Sequence, residues 1–345
     1  MSRTPAVRKL AVRAPNWVGD LVMATPMLEA LCTSERFERV DVLLRAHLAP
    51  LVADAPWSDR LRPIASSSAE RALLRELQPD AVLLLSNSFG AAWRAFRAGV
   101  PLRLGSALSG RRLLLTHSIV PPTRGGRRLP VPTAHLLRDL TALAGVDTPE
   151  LTPRLYLRDE LRAVVREELT AAGLGAGEDY ILCCPGAAFG AAKLWPPEHF
   201  AAALDELCAE TGARALIGGG PGEEPLMDAV AGLCRSDAIS LAAHPRDLER
   251  LKAQVAGARL LLVGDSGPRW VAAAFDVPCV SVMGPNFPEL TATSLERCRV
   301  VRLEGLPCSP CLERVCPLEH HRCMRELSPA RVVAAARELL AEATA

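Results

Sequence analysis

The feature that most constrains the fold is an alternation of short apolar segments with helical patterns. In the first half, residues 9–13, 40–45 and 80–86 are strand-sized and mostly aliphatic, and each precedes a helical pattern, near residues 21–32, 47–54 and 91–98. Such alternation is typical of βαβ units, whose strands form a parallel sheet with helices on both faces. We therefore predict an α/β fold.

The same alternation begins again at Asp179, with predicted strands over residues 179–184, 214–217, 259–263 and 278–283. A chain of 345 residues is long enough for two cores of ordinary size. We predict two Rossmann-like, doubly wound domains facing a cleft, over residues 1–157 and 158–327. A C-terminal helix over residues 328–345 is expected to pack back on the first domain.

Charge and apolar runs exclude several classes of protein. The net charge of +1 argues against a general nucleic-acid binder. The longest apolar runs are strand-sized, far below the roughly 20 residues that span a bilayer. Arginines and a lysine interrupt the N-terminal segment, so it lacks the apolar core of a signal peptide. We expect a cytoplasmic protein.

The loop after the first predicted strand, residues 14–20, contains Asn16, Gly19 and Asp20. Gly19 would let the backbone approach a ligand closely. Asp20 has two interpretations: it caps the following helix, or it acts as a base in the cleft. Pro26 either belongs to the first turn of a helix that starts late or kinks a helix already begun.

Three loops of the second half also follow predicted strands. The first contains Gly186 and ends in Lys193, and it could hold a diphosphate with backbone N–H groups and an ammonium. The second contains Glu223 and Glu224, which could bind ribose hydroxyls. The third is Asp265-Ser266-Gly267, which either caps a helix or donates to a phosphate. Because they follow strands of one sheet, these loops should meet at one edge.

A basic stretch interrupts the alternation between residues 101 and 132 and is predicted to be a partly mobile loop. It is either a solvated surface loop or a dock for a phosphorylated substrate or a membrane surface. Its basic residues and glycines are Arg111, Arg112, Arg124, Gly125, Gly126, Arg127 and Arg128.

Four of the eleven cysteines lie within 16 residues, at Cys308, Cys311, Cys316 and Cys323. The first two have the spacing of zinc ligands. We consider three interpretations: a structural metal site with zinc, or less favourably an iron–sulfur cluster; buried reduced thiols; and a disulfide or redox role.

Residues 14–31, 185–196 and 265–274, in this order and spacing, resemble glycosyltransferase family 9, most closely its heptosyltransferase II branch. The resemblance implies the GT-B fold, with the acceptor in the N-terminal lobe and ADP-heptose in the C-terminal lobe. It implies an inverting glycosyltransferase that needs no metal for the transfer. The implied acceptor is the lipopolysaccharide core or a related glycolipid, reached at the cytoplasmic face of the inner membrane.

The resemblance also implies residue roles. Asp20 would be the general base, and Lys193 would hold the diphosphate. Gly186, Glu223 or Glu224, Asp265, Ser266, Gly267 and Arg269 would complete the donor site. Asn16, Gly19, Arg111 and Arg112 are our candidates for acceptor binding.

One residue departs from the family pattern, since Trp270 stands where relatives usually have His. Either Arg269 supplies the missing charge or donor affinity is changed. The alternatives are thus a GT-B protein that binds a nucleotide sugar without transferring it, and a transferase that uses another nucleotide sugar. A dinucleotide oxidoreductase is disfavoured, because no Gly-x-Gly-x-x-Gly follows the first strand.

Overall fold

The apolar segments of the first half form one parallel sheet in the computed structural model, which describes residues 7–124 and 127–342. The first unit, Met1–Leu155, holds this sheet, with strand order β3-β2-β1-β4-β5-β6. Its strands are β1 (Lys9–Arg13), β2 (Arg39–Arg45), β3 (Leu61–Ile64), β4 (Ala81–Leu84), β5 (Leu102–Ser106) and β6 (His117–Ile119). Every residue of β4 is buried, as expected for a parallel strand covered on both faces.

Four α-helices accompany this sheet in the described part of the first unit. They are α1 (Val18–Thr33), α2 (Ser67–Leu77), α3 (Phe89–Arg97) and α4 (Thr133–Leu143). The segment predicted as a helix near residues 47–54 forms a 3₁₀ helix over Ala46–Val52. β1 lies between β2 and β4, with Leu10 in register with Val40 and Ala81. The loops that leave β1 and β4 therefore emerge side by side at the carboxyl edge.

Helix α1 continues past Pro26, which lies inside it rather than in its first turn. Proline lacks the N–H that would donate to the Val22 carbonyl. The Thr25 hydroxyl replaces that donor, at 2.7 Å from the Val22 oxygen. It also accepts a hydrogen bond of 2.8 Å from the backbone N–H of Arg154. The neighbouring threonine thus compensates for the proline.

The basic stretch is more ordered than predicted. It contributes β5 and β6 to the sheet, followed by a two-stranded antiparallel hairpin of β7 (Thr123–Arg124) and β8 (Arg127–Arg128). The prediction of a partly mobile loop is therefore wrong for the two strand segments, residues 102–106 and 117–119. The sequence pattern did not show these strands, because β6 has three residues and β7 and β8 have two each. Gly125 and Gly126 lie outside the described residues.

The second unit, Tyr156–Ala345, repeats the architecture with the order β11-β10-β9-β12-β13-β14. Its strands are β9 (Tyr180–Cys184), β10 (Arg214–Ile217), β11 (Ile239–Ser240), β12 (Leu260–Gly264), β13 (Cys279–Val282) and β14 (Cys298–Val301). Both sheets share one connectivity, in which the first strand lies centrally and the order reverses beside it. This is the Rossmann order, which opens a ligand crevice at the point of reversal.

The helices of the second unit cover its sheet and carry the loops of interest. They are α5 (Asp159–Ala171), α6 (Pro197–Thr211), α7 (Glu224–Leu233), α8 (Leu248–Ala256), α9 (Pro268–Ala274), α10 (Arg322–Arg325) and α11 (Pro329–Glu342). The C-terminal helix α11 contacts α6, β13 and β14 of its own unit. Across residues 7–124 and 127–342, no helix combines the length and apolar character needed to cross a membrane.

Candidate functional site

A cavity of about 350 Å³ lies at the carboxyl edge of the first sheet. Its walls are residues 15–17, Asp20, the loop after β4 over residues 85–88, and the start of α4. The cavity therefore lies at the carboxyl ends of the neighbouring strands β1 and β4, where the strand order reverses. Open α/β sheets bind ligands at this position.

Asp20 lies in the first turn of α1 and contributes to the wall of this cavity. The capping position belongs to Trp17, whose side chain makes no capping hydrogen bond. Asp20 is therefore not the N-cap residue itself but an acid of the first helical turn, a position that fits both interpretations. A carboxylate in the first turn of a helix interacts favourably with the helix dipole. A charged carboxylate in a cavity wall is the form that a general base requires.

Buried charged residues hold the loop that carries Asn16 in place. Arg13 is 1% exposed, and its guanidinium lies 3.2 Å from the Glu70 carboxylate, which also pairs with Arg94 at 2.8 Å. Burial lowers the pKa of Arg13, because the charged form loses solvation. Arg13 donates to the Asn16 side-chain oxygen at 2.6 Å, and the Asn16 amide donates to the Ser86 hydroxyl at 3.0 Å. Asn16 is thereby held in one orientation at the cavity wall.

Arg111 is fully buried beneath the opposite wall of the cavity. Its guanidinium donates to three backbone carbonyls. They are those of Ser86, of Ser106 at 2.9 Å and of Ser88 at 3.3 Å. Burial lowers its pKa to about 10. Arg111 therefore anchors the loop after β4, whereas its neighbour Arg112 is exposed.

A second group of polar residues lies at the carboxyl edge of the second sheet. The Lys193 ammonium lies 2.6 Å from the Asp265 carboxylate and 3.2 Å from the Asp265 carbonyl oxygen. Asn286, which follows β13, donates to the same carboxylate at 2.8 Å. Asp265 is thus an acceptor for two side chains, and the capping alternative does not describe it. The residue that caps α9 is Gly267, and Ser266 is half-buried beside it.

Gly186 and Glu223 are in close contact at the same edge. The Glu223 carboxylate accepts a hydrogen bond of 2.7 Å from the Gly220 N–H. A Cβ atom on residue 186 would lie 2.1 Å from that carboxyl group, so only glycine leaves room for it. The structure therefore brings the loops after β9, β10 and β12 together, as their positions after neighbouring strands predict.

Glu224 begins α7 and pairs with Arg246 at 2.5 Å. Backbone hydrogen bonding at the helix start and the Arg246 guanidinium lower the pKa of Glu224 to about 2. Both interactions favour the carboxylate, which stays ionised throughout the physiological range. An ionised carboxylate is an acceptor only, as binding of ribose hydroxyls requires.

Arg269 does not offer an exposed charge near Trp270. It is 1% exposed, and its guanidinium carbon lies 4.7 Å from the Trp270 ring centroid. It donates to the Thr291 carbonyl at 2.9 Å. Arg269 thus lies beside Trp270 as a buried guanidinium, and both interpretations, replacement of the usual His charge and altered donor affinity, stay predictions.

The prediction of a metal at the four clustered cysteines is not supported. In the part of the chain that the structure describes, no three His, Cys, Asp or Glu side chains are arranged to hold a metal ion. All eleven cysteines are free thiols. Burial, together with the charges of the other three clustered cysteines, raises the pKa of Cys323 to about 11. Cys323 is accordingly a neutral thiol at pH 7.

Two residues of this edge were missed by sequence reasoning. Asn286 follows β13, so its position after a strand was a usable signal. Phe189 lies in the Lys193 loop, with its ring centroid 4.8 Å from the Lys193 nitrogen. An aromatic residue among small ones was its only distinguishing mark.

The chain is similar to known proteins over most of its length. Residues 69–322 match the family model of glycosyltransferase family 9 (heptosyltransferase). Lipopolysaccharide heptosyltransferase 2 of Salmonella typhimurium is 28% identical over 314 residues, which cover 86% of this chain and 88% of the relative. The same enzyme of Escherichia coli K12 matches equally well in identity and coverage.

Solved structures share the architecture. The E. coli ADP-heptose lps heptosyltransferase II superposes with a TM-score of 0.77 at 24% identity, covering 98% of this chain and 100% of that one. E. coli heptosyltransferase WaaC with ADP-2-deoxy-2-fluoro heptose gives 0.64 at 19% identity, with the same coverage of both chains. These likenesses establish the GT-B fold. The family model spans well over half of the sequence, and the chain therefore belongs to glycosyltransferase family 9 and is a glycosyltransferase.

Proposed function

We propose that this protein transfers a heptose from ADP-heptose to the inner core of lipopolysaccharide, with inversion at the anomeric carbon. The observation that carries the proposal is the position of Asp20 in the wall of the cavity, at the first turn of α1. Its relatives are named as lipopolysaccharide heptosyltransferases. One solved relative holds an ADP-heptose analogue.

In the proposed reaction the acceptor hydroxyl lies next to Asp20. The carboxylate takes the hydroxyl proton as the oxygen attacks the anomeric carbon. The bond between that carbon and the diphosphate oxygen breaks, and ADP leaves from the opposite face. Because attack and departure take place on opposite faces, this single displacement inverts the configuration at the anomeric carbon. No residue needs to form a covalent intermediate.

The leaving diphosphate is assigned to the edge of the second sheet. Lys193 and the backbone N–H groups of the turn Asp265-Ser266-Gly267 would stabilise its growing charge, and a contact that strengthens in the transition state lowers the barrier. Gly186 leaves space for the Glu223 carboxylate. Glu223 and Glu224 are assigned to the ribose hydroxyls.

The acceptor side is assigned to Asn16, Gly19 and Arg112, with Arg111 acting through the loop that it anchors. Because Arg111 is buried and bonded to the Ser86 and Ser88 carbonyls, we describe it as a positioning residue. It would shape the cavity wall rather than touch the acceptor.

The test is Asp20→Asn, which removes the base and keeps the size of the side chain. Heptose transfer should fall by a factor on the order of 10²–10⁴, which is the usual contribution of a general base. The affinity for ADP should change little, because the donor residues belong to the second unit. Asp59→Asn is the matched control, since Asp59 is an exposed carboxylate of the same unit. Unchanged turnover in Asp20→Asn would refute the assignment of the base.

A glycolipid acceptor requires the enzyme to work at a lipid surface, and we infer that α3 makes this contact. Phe89, Trp93 and Phe96 lie on one face of α3 and are about half exposed. The Arg97 guanidinium lies 5.8 Å from the Trp93 ring centroid, and that of Arg103 lies 5.5 Å from the Phe96 centroid. Aromatic rings beside arginines suit the interface of a membrane with anionic lipids.

A further inference from the structure

The cysteine-rich segment, residues 308–323, packs against the loop that carries Lys193. The backbone N–H of Ala192 donates to the Arg314 carbonyl at 3.0 Å. The Ala192 carbonyl accepts from the His321 Nε2, at 2.8 Å. A carbonyl can only accept, so Nε2 carries the proton. The residue directly before Lys193 is therefore held on both sides by this segment.

The approach of the two chain segments is close at Gly190. This residue has φ of +154°, and a Cβ atom there would lie 2.4 Å from the Arg314 carbonyl oxygen. Because the obstacle is backbone, it could not move aside cheaply. The segment also donates from Cys311 and Leu312 to the Pro285 carbonyl, at 3.0 and 2.8 Å. Pro285 immediately precedes Asn286, which bonds Asp265, so both parts of the proposed donor site touch the segment.

These contacts bring the Arg314 side chain to the Lys193 loop. The Arg314 guanidinium carbon lies 5.1 Å from the centroid of the Phe189 ring, and the Lys193 nitrogen lies 4.8 Å from the same centroid. The ring attracts cations through its negative face. Two cations are thus gathered around one aromatic ring.

The charge balance of the site makes the second cation significant. Lys193 is paired with Asp265, and Arg246 is paired with Glu224, so neither pair adds net positive charge. Among the described residues, no carboxylate lies within ion-pair distance of the Arg314 guanidinium, whose contact is the Phe189 ring. A nucleoside diphosphate carries several negative charges, which Lys193 alone would not balance beside Asp265.

We propose that Arg314 is a second cation for the diphosphate of the donor and that the cysteine-rich segment serves to hold it beside Lys193. This rests on the proposed function. Arginine suits the task because its planar guanidinium can donate two parallel hydrogen bonds to phosphate oxygens. The cluster of cysteines thereby belongs to the scaffold of the donor site.

The experiment compares the affinities for ADP and adenosine of the wild type, Arg314→Ala and Arg314→Lys by calorimetry. Arg314→Ala removes the guanidinium but keeps the backbone carbonyl that holds Ala192. It should weaken ADP binding about tenfold or more, the value of a charge-assisted contact, and leave adenosine binding unchanged. Arg314→Lys should lose less. The matched control is Arg331→Ala, an exposed arginine at the start of α11, which should bind both ligands like the wild type.

The outcomes separate the two proposals. If the wild type prefers ADP to adenosine and Arg314→Ala keeps that preference, the assignment of Arg314 is wrong while the proposed function stands. If the wild type shows no preference for ADP, the proposed function is wrong, and the assignment of Arg314, which rests on it, is wrong as well. Equal weakening of ADP and adenosine in Arg314→Ala would indicate a general disturbance and would also overturn the assignment. Thermal unfolding midpoints of the variants identify any loss of folding.

Discussion

Gly186 illustrates how one missing side chain can determine the geometry of a site. The Glu223 carboxylate occupies the space where a Cβ atom would lie and accepts from the Gly220 N–H. Since the obstructing atoms are the end of a flexible side chain, a methyl group would displace Glu223 rather than unfold the protein. Stability and donor binding should therefore respond differently to substitution.

We expect Gly186→Ala to raise KM for the donor about tenfold, which corresponds to the loss of one charged hydrogen bond. The thermal midpoint should fall only slightly, because the Glu223 carboxylate can move into solvent. The control is Gly232→Ala in α7, where a Cβ atom meets nothing within 4 Å and the helix should be slightly stabilised. Steady-state kinetics with varied donor would measure the effect. An unchanged KM in Gly186→Ala would exclude Glu223 from donor binding.

At the scale of elements, α1 shows how a local sequence conflict is resolved. Pro26 deprives the buried Val22 carbonyl of its helical partner, and the Thr25 hydroxyl donates to it instead. The same hydroxyl accepts from the Arg154 N–H, close to the end of the first unit. One side chain thus satisfies two backbone groups, and its loss would leave both without a protein partner.

Thr25→Val should therefore lower the free energy of unfolding by about 1–3 kcal/mol, the cost of buried unpaired backbone groups. Thr33→Val is the matched control. Thr33 donates to the Glu29 carbonyl in the same helix, but in an exposed setting, and its replacement should cost less than about 0.5 kcal/mol. Chemical denaturation followed by circular dichroism would compare the two variants. Equal effects would contradict the proposed role of Thr25.

The predictability of each element followed from its length and its surroundings. Strands β1, β4 and β9 are four or five residues long and mostly apolar, so the sequence pattern predicted them. Strand β6 has three residues among arginines, and its pattern carried no such signal. Loops that follow neighbouring strands could be grouped, because strand order and chain direction bring their ends together.

Pairings between distant residues could not be predicted in this way. Lys193 and Asp265 are 72 residues apart, and either could have been paired elsewhere. Arg111 was predicted to bind the acceptor, because no sequence pattern reveals that an arginine is buried and that backbone carbonyls accept its hydrogen bonds. The cysteine spacing suggested metal, whereas the contacts that distinguish the segment are made by its backbone and by Arg314 and His321.

At the scale of the whole molecule, the net charge of +1 gives little general attraction to an anionic membrane. Any association must therefore depend on a local surface, and α3 is our candidate. Its buried face consists of Ala91, Ala92 and Ala95, so its aromatic residues are left on the other face. Large aromatic residues on an exposed helix face serve neither the core nor solubility, which favours an interfacial role.

We predict that the protein binds vesicles containing anionic phospholipids and binds purely zwitterionic vesicles weakly. The double variant Trp93→Ala/Phe96→Ala should lower the partition coefficient about tenfold, because it removes the apolar groups that would enter the interface. Raising the salt concentration should weaken binding of the wild type, since the arginines act through screened charge.

Val164→Ala, at an exposed apolar residue of α5 in the second unit, is the control and should bind like the wild type. Vesicle flotation measures binding in each of these cases. Binding that is equal for the double variant and the wild type would exclude α3 as the contact surface, and binding independent of lipid charge would exclude the arginines from the interaction.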